Sequence, residues 1–159
     1  MRKAVRLAMC AVFAAVLASA AVAGPSANHT VTVQVNAINE LGLTGGDITL
    51  TIGSATAGQE PDPATNTACT LAWTVNQTNR KITVATNLAS PTFTLKVLAQ
   101  SVTGGSAAAE VTLTNTATDF VTGVSKTIGG CTLGYTASAT AAQGTGSDVH
   151  IVTYTLTNG

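Results

Sequence analysis

Past residue 23, the apolar and polar positions of this chain alternate with a period of two. Val31, Val33, Val35 and Ala37 alternate with Thr32, Gln34 and Asn36, and Ile48, Leu50 and Ile52 alternate with Thr49 and Thr51. Cys69, Leu71, Trp73 and Val75 share one face; Ile82 and Val84 lie opposite Lys81 and Thr83; Phe93, Leu95, Val97 and Ala99 lie opposite Thr94 and Lys96. Val111 with Leu113, then Cys131, Leu133, Tyr135 and Ala137, and last residues 149–156, continue the pattern. Successive side chains of a strand point to opposite faces, so each stretch predicts a strand with one apolar and one polar face, as in antiparallel sheets packed on one side. Apolar residues at helical spacing do not occur in this region. Thr, Val and Ile dominate it, and their branched Cβ atoms suit strands better than helices.

Turn signals separate the stretches: Leu43-Thr44-Gly45-Gly46-Asp47, Asn76-Gln77-Thr78-Asn79 and Gly144-Thr145-Gly146-Ser147. Glu60-Pro61-Asp62-Pro63 is expected as a loop, because proline cannot donate to a sheet ladder. The reading is all-β: an antiparallel β-sandwich of about eight strands, with residues 119–125 a candidate short ninth and an up-and-down barrel as the alternative architecture.

Two of these strands nearly repeat. Cys69-Thr70-Leu71-Ala72-Trp73-Thr74-Val75 matches Cys131-Thr132-Leu133-Gly134-Tyr135-Thr136-Ala137 at an offset of 131 − 69 = 62 residues. The same offset aligns residues 31–37 with 93–99, and an offset of 63 aligns 47–51 with 110–114. Each half then reads as strand, Gly-Gly loop, short strand, long loop, cysteine strand, hairpin, strand. This predicts two pseudo-symmetric four-strand halves, residues 29–87 and 91–158, with Leu71, Trp73, Leu133 and Tyr135 in a shared core. Equivalent residues can meet where a twofold axis passes, which puts Cys69 and Cys131 forward as a disulfide between the halves.

Residues 1–23 carry a different signal. Arg2, Lys3 and Arg6 precede an apolar run, and Ala21-Val22-Ala23 has the small-x-small pattern of a signal-peptidase site. Residues 7–23 are short and alanine-rich for a membrane span, which needs about 20 strongly apolar residues. The expected mature domain is therefore residues 24–159, with no membrane span, exported through the secretory pathway to the periplasm, the cell surface or the medium. There a cysteine pair is expected to oxidise. Losing the leader removes three of seven basic residues and none of seven acidic ones, so the mature net charge is 4 − 7 = −3. No basic patch remains for a phosphate backbone, which argues against nucleic-acid binding.

Strand number, threonine richness and the cysteine-aromatic core together resemble bacterial immunoglobulin-like or fibronectin-like secreted β-sandwiches, and the subunits of pili and surface fibres. The resemblance implies fold alone. True immunoglobulin domains place the tryptophan well beyond the first cysteine, whereas Trp73 follows Cys69 by four residues, so no functional residue carries over.

Chemistry-bearing groups are sparse. Asp148 and His150 stand two apart, but no Gly-x-Ser-x-Gly elbow supplies a nucleophile, and His29 lies just behind the leader. Glu60 and Asp62 share a loop without the pattern of a calcium loop. Alternating threonines at 112, 114, 116 and 118, and at 153, 155 and 157, suit a soluble sheet face; a water-organising array would need flat strands, and sandwich sheets twist. No catalytic residue, metal ligand or cofactor is expected. The favoured function is a non-catalytic structural or adhesive surface protein, a fibre subunit whose partners are copies of itself or other surface proteins. Low charge leaves strand edges poorly guarded, and the stretch bearing Val31, Val33 and Val35 is the candidate strand-exchange segment. A carbohydrate- or ligand-binding module is the alternative, and a small secreted enzyme ranks last.

Overall fold

The computed structural model describes residues 24–159; the expected leader lies outside the described residues. The chain divides into two units, Met1–Gln34 and Val35–Gly159. In the first, residues 24–34 form no strand.

The second unit is an all-β sandwich. Nine strands form it: β1 (Asn39–Thr44), β2 (Ala64–Val75), β3 (Arg80–Thr86), β4 (Thr94–Thr103), β5 (Ser106–Ala107), β6 (Val111–Thr112), β7 (Thr118–Val124), β8 (Thr127–Ser138) and β9 (Val152–Asn158). One sheet has the order β1-β2-β8-β4-β6 and the other β5-β7-β3-β9. All neighbours run antiparallel. The period-two pattern sets which face turns inward. Cys69, Leu71, Trp73 and Val75 of β2 are buried in alternation, as are Ile82 and Val84 of β3, Val97 and Ala99 of β4, and Cys131, Leu133 and Tyr135 of β8. On β7 the consecutive Phe120 and Val121 are both buried. A register shift against β3 between Ile82 and Thr83 makes this possible, since a bulge lets two adjacent side chains face one layer.

At the centre, β2 pairs with β8. Leu71 and Leu133 are fully enclosed there, and truncating either to alanine is expected to cost about 2–5 kcal/mol. Trp73 lies beside them, and its indole N–H donates to the Gly104 carbonyl at 3.3 Å. Gly129, its Cα partner on β8, leaves room for the ring. A Cβ at Gly129 would overlap the indole and the Thr103 carbonyl. Gly45, at φ 107°, turns the chain out of β1 against Cys69, where a Cβ would come within 2.7 Å of the Cys69 Cα.

The two flanks of the sandwich differ. On one, β4 approaches β5 and β7, and Val111, Leu113, Phe120, Val121 and Val124 are buried, with Leu95 and Val102 of β4 half-buried against the core. On the other, β1 approaches β9. The inward residues of these two strands, Leu41, Val152, Tyr154 and Leu156, pack on the core but stay half-buried, as do Ile48 and Leu50 beyond the end of β1.

Two predicted strands are absent. Residues 31–37 and 48–52 form none. In their place β1 covers the β2 edge, and β7 takes up the candidate ninth strand. Residues 47–52 keep the alternation, with Ile48, Leu50 and Ile52 more buried than Thr49 and Thr51. Among the described residues, however, they make no backbone–backbone hydrogen bond. The alignment of 31–37 with 93–99 does not carry into the sheet. Leu43 faces Leu71 while Ala99 faces Leu133, an offset of 99 − 43 = 56, against 133 − 71 = 62 for their partners.

Gly129→Ala tests the central packing. Forcing a methyl group against the Trp73 indole is expected to destabilise the domain by about 1–3 kcal/mol, read as a lower urea midpoint at unchanged slope. A midpoint equal to the parent's would show that the indole does not rest on Gly129.

Candidate functional site

Three features compete for a functional role: the cysteine-aromatic cluster, the polar groups near His150, and the exposed valines ahead of β1.

The cluster lies inside. Cys69 and Cys131 are buried free thiols, so the expected bridge is not formed. The register gives the reason. Cys69 faces Leu133 and Cys131 faces Leu71, with Thr70 facing Thr132 between them. Thr70 and Thr132 are themselves equivalent at the repeat offset, 132 − 70 = 62, so the residues that meet at the local dyad are threonines. The cysteines fall one step to either side, as diagonal neighbours. Diagonal positions on paired strands lie about 7–8 Å apart, at or past the roughly 7 Å Cα limit for a disulfide. Burial pushes the Cys131 thiol up to about 11, so little of it is the reactive thiolate at neutral pH. The Cys69 thiol donates to the Gly46 carbonyl at 3.6 Å.

Leu71, Trp73, Leu133 and Tyr135 are core residues, as the alternation predicts. Tyr135 shares a 2.8 Å hydroxyl hydrogen bond with Tyr154, whose ring stands 5.2 Å from that of Phe120. Burial raises the pKa of both phenols. The pair therefore bridges the two sheets as neutral groups. These aromatic rings serve packing, which leaves little for stacking on a sugar.

The polar groups are engaged within the fold. The Asp148 carboxylate accepts the Phe93 N–H at 2.8 Å, while Nδ1 of His150 contacts the buried Thr86 hydroxyl at 3.1 Å. The two side chains thus serve different partners and pin the approach to β9 against β3 and β4. Asp62 accepts from the Ser54 hydroxyl at 2.8 Å, and Glu60 accepts the Ala141 N–H at 2.5 Å. Among the described residues no three metal-ligating side chains cluster. Lys81 pairs with Asp119 at 2.8 Å and Lys96 with Glu110 at 3.1 Å, so these cations are neutralised where they stand. The first threonine series does not form a flat array: the Thr114 hydroxyl accepts the Thr116 N–H, and the Thr118 hydroxyl donates to the Thr116 carbonyl, which curls the chain into turns.

The valines are different. Val31, Val33 and Val35 are 70%, 84% and 72% exposed. Just beyond them Asn76, at the end of β2, fixes the chain: its side chain accepts the Ile38 N–H at 2.8 Å and donates to the Asn36 carbonyl at 2.7 Å, and its N–H donates to the Ile38 carbonyl. The candidate segment is thus anchored at one end with its apolar row in water. Isolated exposed apolar residues are ordinary, but an alternating row is a strand face lacking a layer to cover.

No family model matches the chain, and no curated protein matches it significantly.

A thiol titration tests the cysteine geometry. In denaturant without reductant, the protein lacking residues 1–23 is expected to react with two equivalents of a thiol reagent per chain. A count of zero would mean that β2 and β8 shift register to close the bridge.

Proposed function

We propose that this protein is an exported, non-catalytic structural or adhesive component of the cell surface or extracellular space, a fibre subunit joined to its neighbours by strand exchange. The observation that carries the reading is the row of Val31, Val33 and Val35, alternating and solvent-exposed outside any strand. The leader pattern in residues 1–23 supports export, and its removal leaves this row almost at the new N-terminus, where a strand is easily donated. Burying three valines on a partner offers about 1.5–3 kcal/mol each, and main-chain hydrogen bonds of an added strand contribute beyond that. Trp73, Phe120 and Tyr135 sit in the core with Tyr154 packed against it, which weighs against a sugar-binding face.

Electron microscopy and sedimentation of the processed protein at high concentration test the reading. Fibres or an open-ended oligomer series are expected for the parent. Val33→Asp, which puts a charge where the partner's core would be, is expected to abolish them while leaving the far-UV circular dichroism unchanged. A parent that stays monomeric at every concentration would contradict the proposal.

A further inference from the structure

The flank between β1 and β9 is where the sandwich lacks a strand, and the repeat explains why. Around the dyad at Thr70 and Thr132, β2 stands beside β8, and β3, the strand after the first cysteine motif, stands beside β9, the strand after the second. β2 has β1 as its outer neighbour and β8 has β4; β3 has β7. Beside β9 no strand of the described residues lies. The segment that corresponds to β7 at the repeat offset is residues 56–62, since 118 − 62 = 56 and 124 − 62 = 62. It contains Gly58 and Pro61 and is followed by Pro63. It folds into a turn closed by Gln59 N–H to the Thr56 carbonyl and Asp62 N–H to the Ser54 carbonyl, both 2.9 Å. Proline and this turn keep it out of a ladder.

The open position has consequences that can be read off β9. Its seven residues pair with β3 without a break in register, so no bulge twists the opposite edge away. It carries no Lys, Glu, Asp or Pro. The edge strands β5 and β6 have two residues each, a length that limits pairing. β1 is longer but carries Glu40. Val152, Tyr154 and Leu156 face the core yet stay half-buried, whereas Ile82 and Val84 on the adjacent strand are sealed. Beyond the end of β1, Ile48 and Leu50 also pack on the core, and residues 47–52 make no backbone–backbone hydrogen bond among the described residues.

Resting on the strand-exchange reading above, we infer that the acceptor site is this flank: residues 31–35 of a second copy of the chain lie along the free edge of β9. Val31, Val33 and Val35 match the spacing of Val152, Tyr154 and Leu156, three inward residues at every second position. Thr32 and Gln34 then fall on the outer face with Thr153 and Thr155. The added strand covers the half-buried residues of the flank and gives the β9 edge its hydrogen bonds. A second copy is the occupant because the valines are exposed in their own chain, whose residues 36–38 are tied to the end of β2 by Asn76.

Crosslinking with a short bis-maleimide tests this, since Cys69 and Cys131 are buried and shielded in the folded protein. A Thr32→Cys chain is mixed with a Thr155→Cys chain, and in parallel with Glu40→Cys on the β1 edge or Thr112→Cys on β6. The expected result is a shift from monomer to dimer on a denaturing gel for the Thr32/Thr155 mixture alone. Polymer that crosslinks through Glu40→Cys or Thr112→Cys instead would overturn the β9 acceptor and leave the fibre reading standing. A Thr32→Cys/Thr155→Cys double variant that crosslinks within one chain at high dilution would overturn the second copy as occupant. Absence of any polymer would overturn both proposals.

Discussion

The pairing of β2 with β8 fixes the rest of the domain. It sets Leu71 and Leu133 at the centre of the core, brings Gly129 under the Trp73 indole, and places the local dyad at Thr70 and Thr132. From that one register follow the separation of the cysteines, the burial of Tyr135 towards Tyr154, and the placement of β1 and β4 on the outer sides. A slip of one residue would turn every one of these side chains to the opposite face.

A sandwich excludes water from its core only where both flanks are closed. One flank is closed by β6 and the Phe120–Val121 bulge; the other ends on half-buried Val152, Tyr154 and Leu156. The incomplete flank and the exposed valines are complementary defects. Each leaves apolar surface in water, and each has the spacing of the other. Either alone would be a modest cost to a monomer. Together they are the two sides of the head-to-tail contact proposed above, and a head-to-tail contact whose rotation does not close builds a filament.

Much of the fold was legible in the sequence, because the period-two pattern directly encodes which side chains face the core. Every second residue from Cys69 to Val75 and from Cys131 to Tyr135, and Ile82 with Val84, is buried as the alternation predicts. Alternation reports a strand's faces but not its partners. Residues 31–37 and 48–52 show it as clearly as β2 does, yet neither has a ladder within the described chain. β1 ends inside the expected turn Leu43-Thr44-Gly45-Gly46-Asp47 and offers only Leu41 and Leu43 as alternating apolar positions, too short a run to mark a strand. The expected disulfide is not formed, because the repeat offset shows which residues are equivalent while the axis position shows which of them touch. That position depends on the β2–β8 register, and the threonine between the cysteines occupies it. The candidate site was legible only in half. The valines of the proposed donor are visible in the sequence, but the proposed acceptor edge emerges only once the strand order is known.

Amide hydrogen exchange, compared between monomeric and assembled protein, tests the central claim most directly. Assembly is predicted to slow exchange along β9 and over residues 31–35 and 47–52, with β5, β6 and the outer edge of β1 unchanged. Protection appearing at β1 or β6 with β9 unaltered would contradict it.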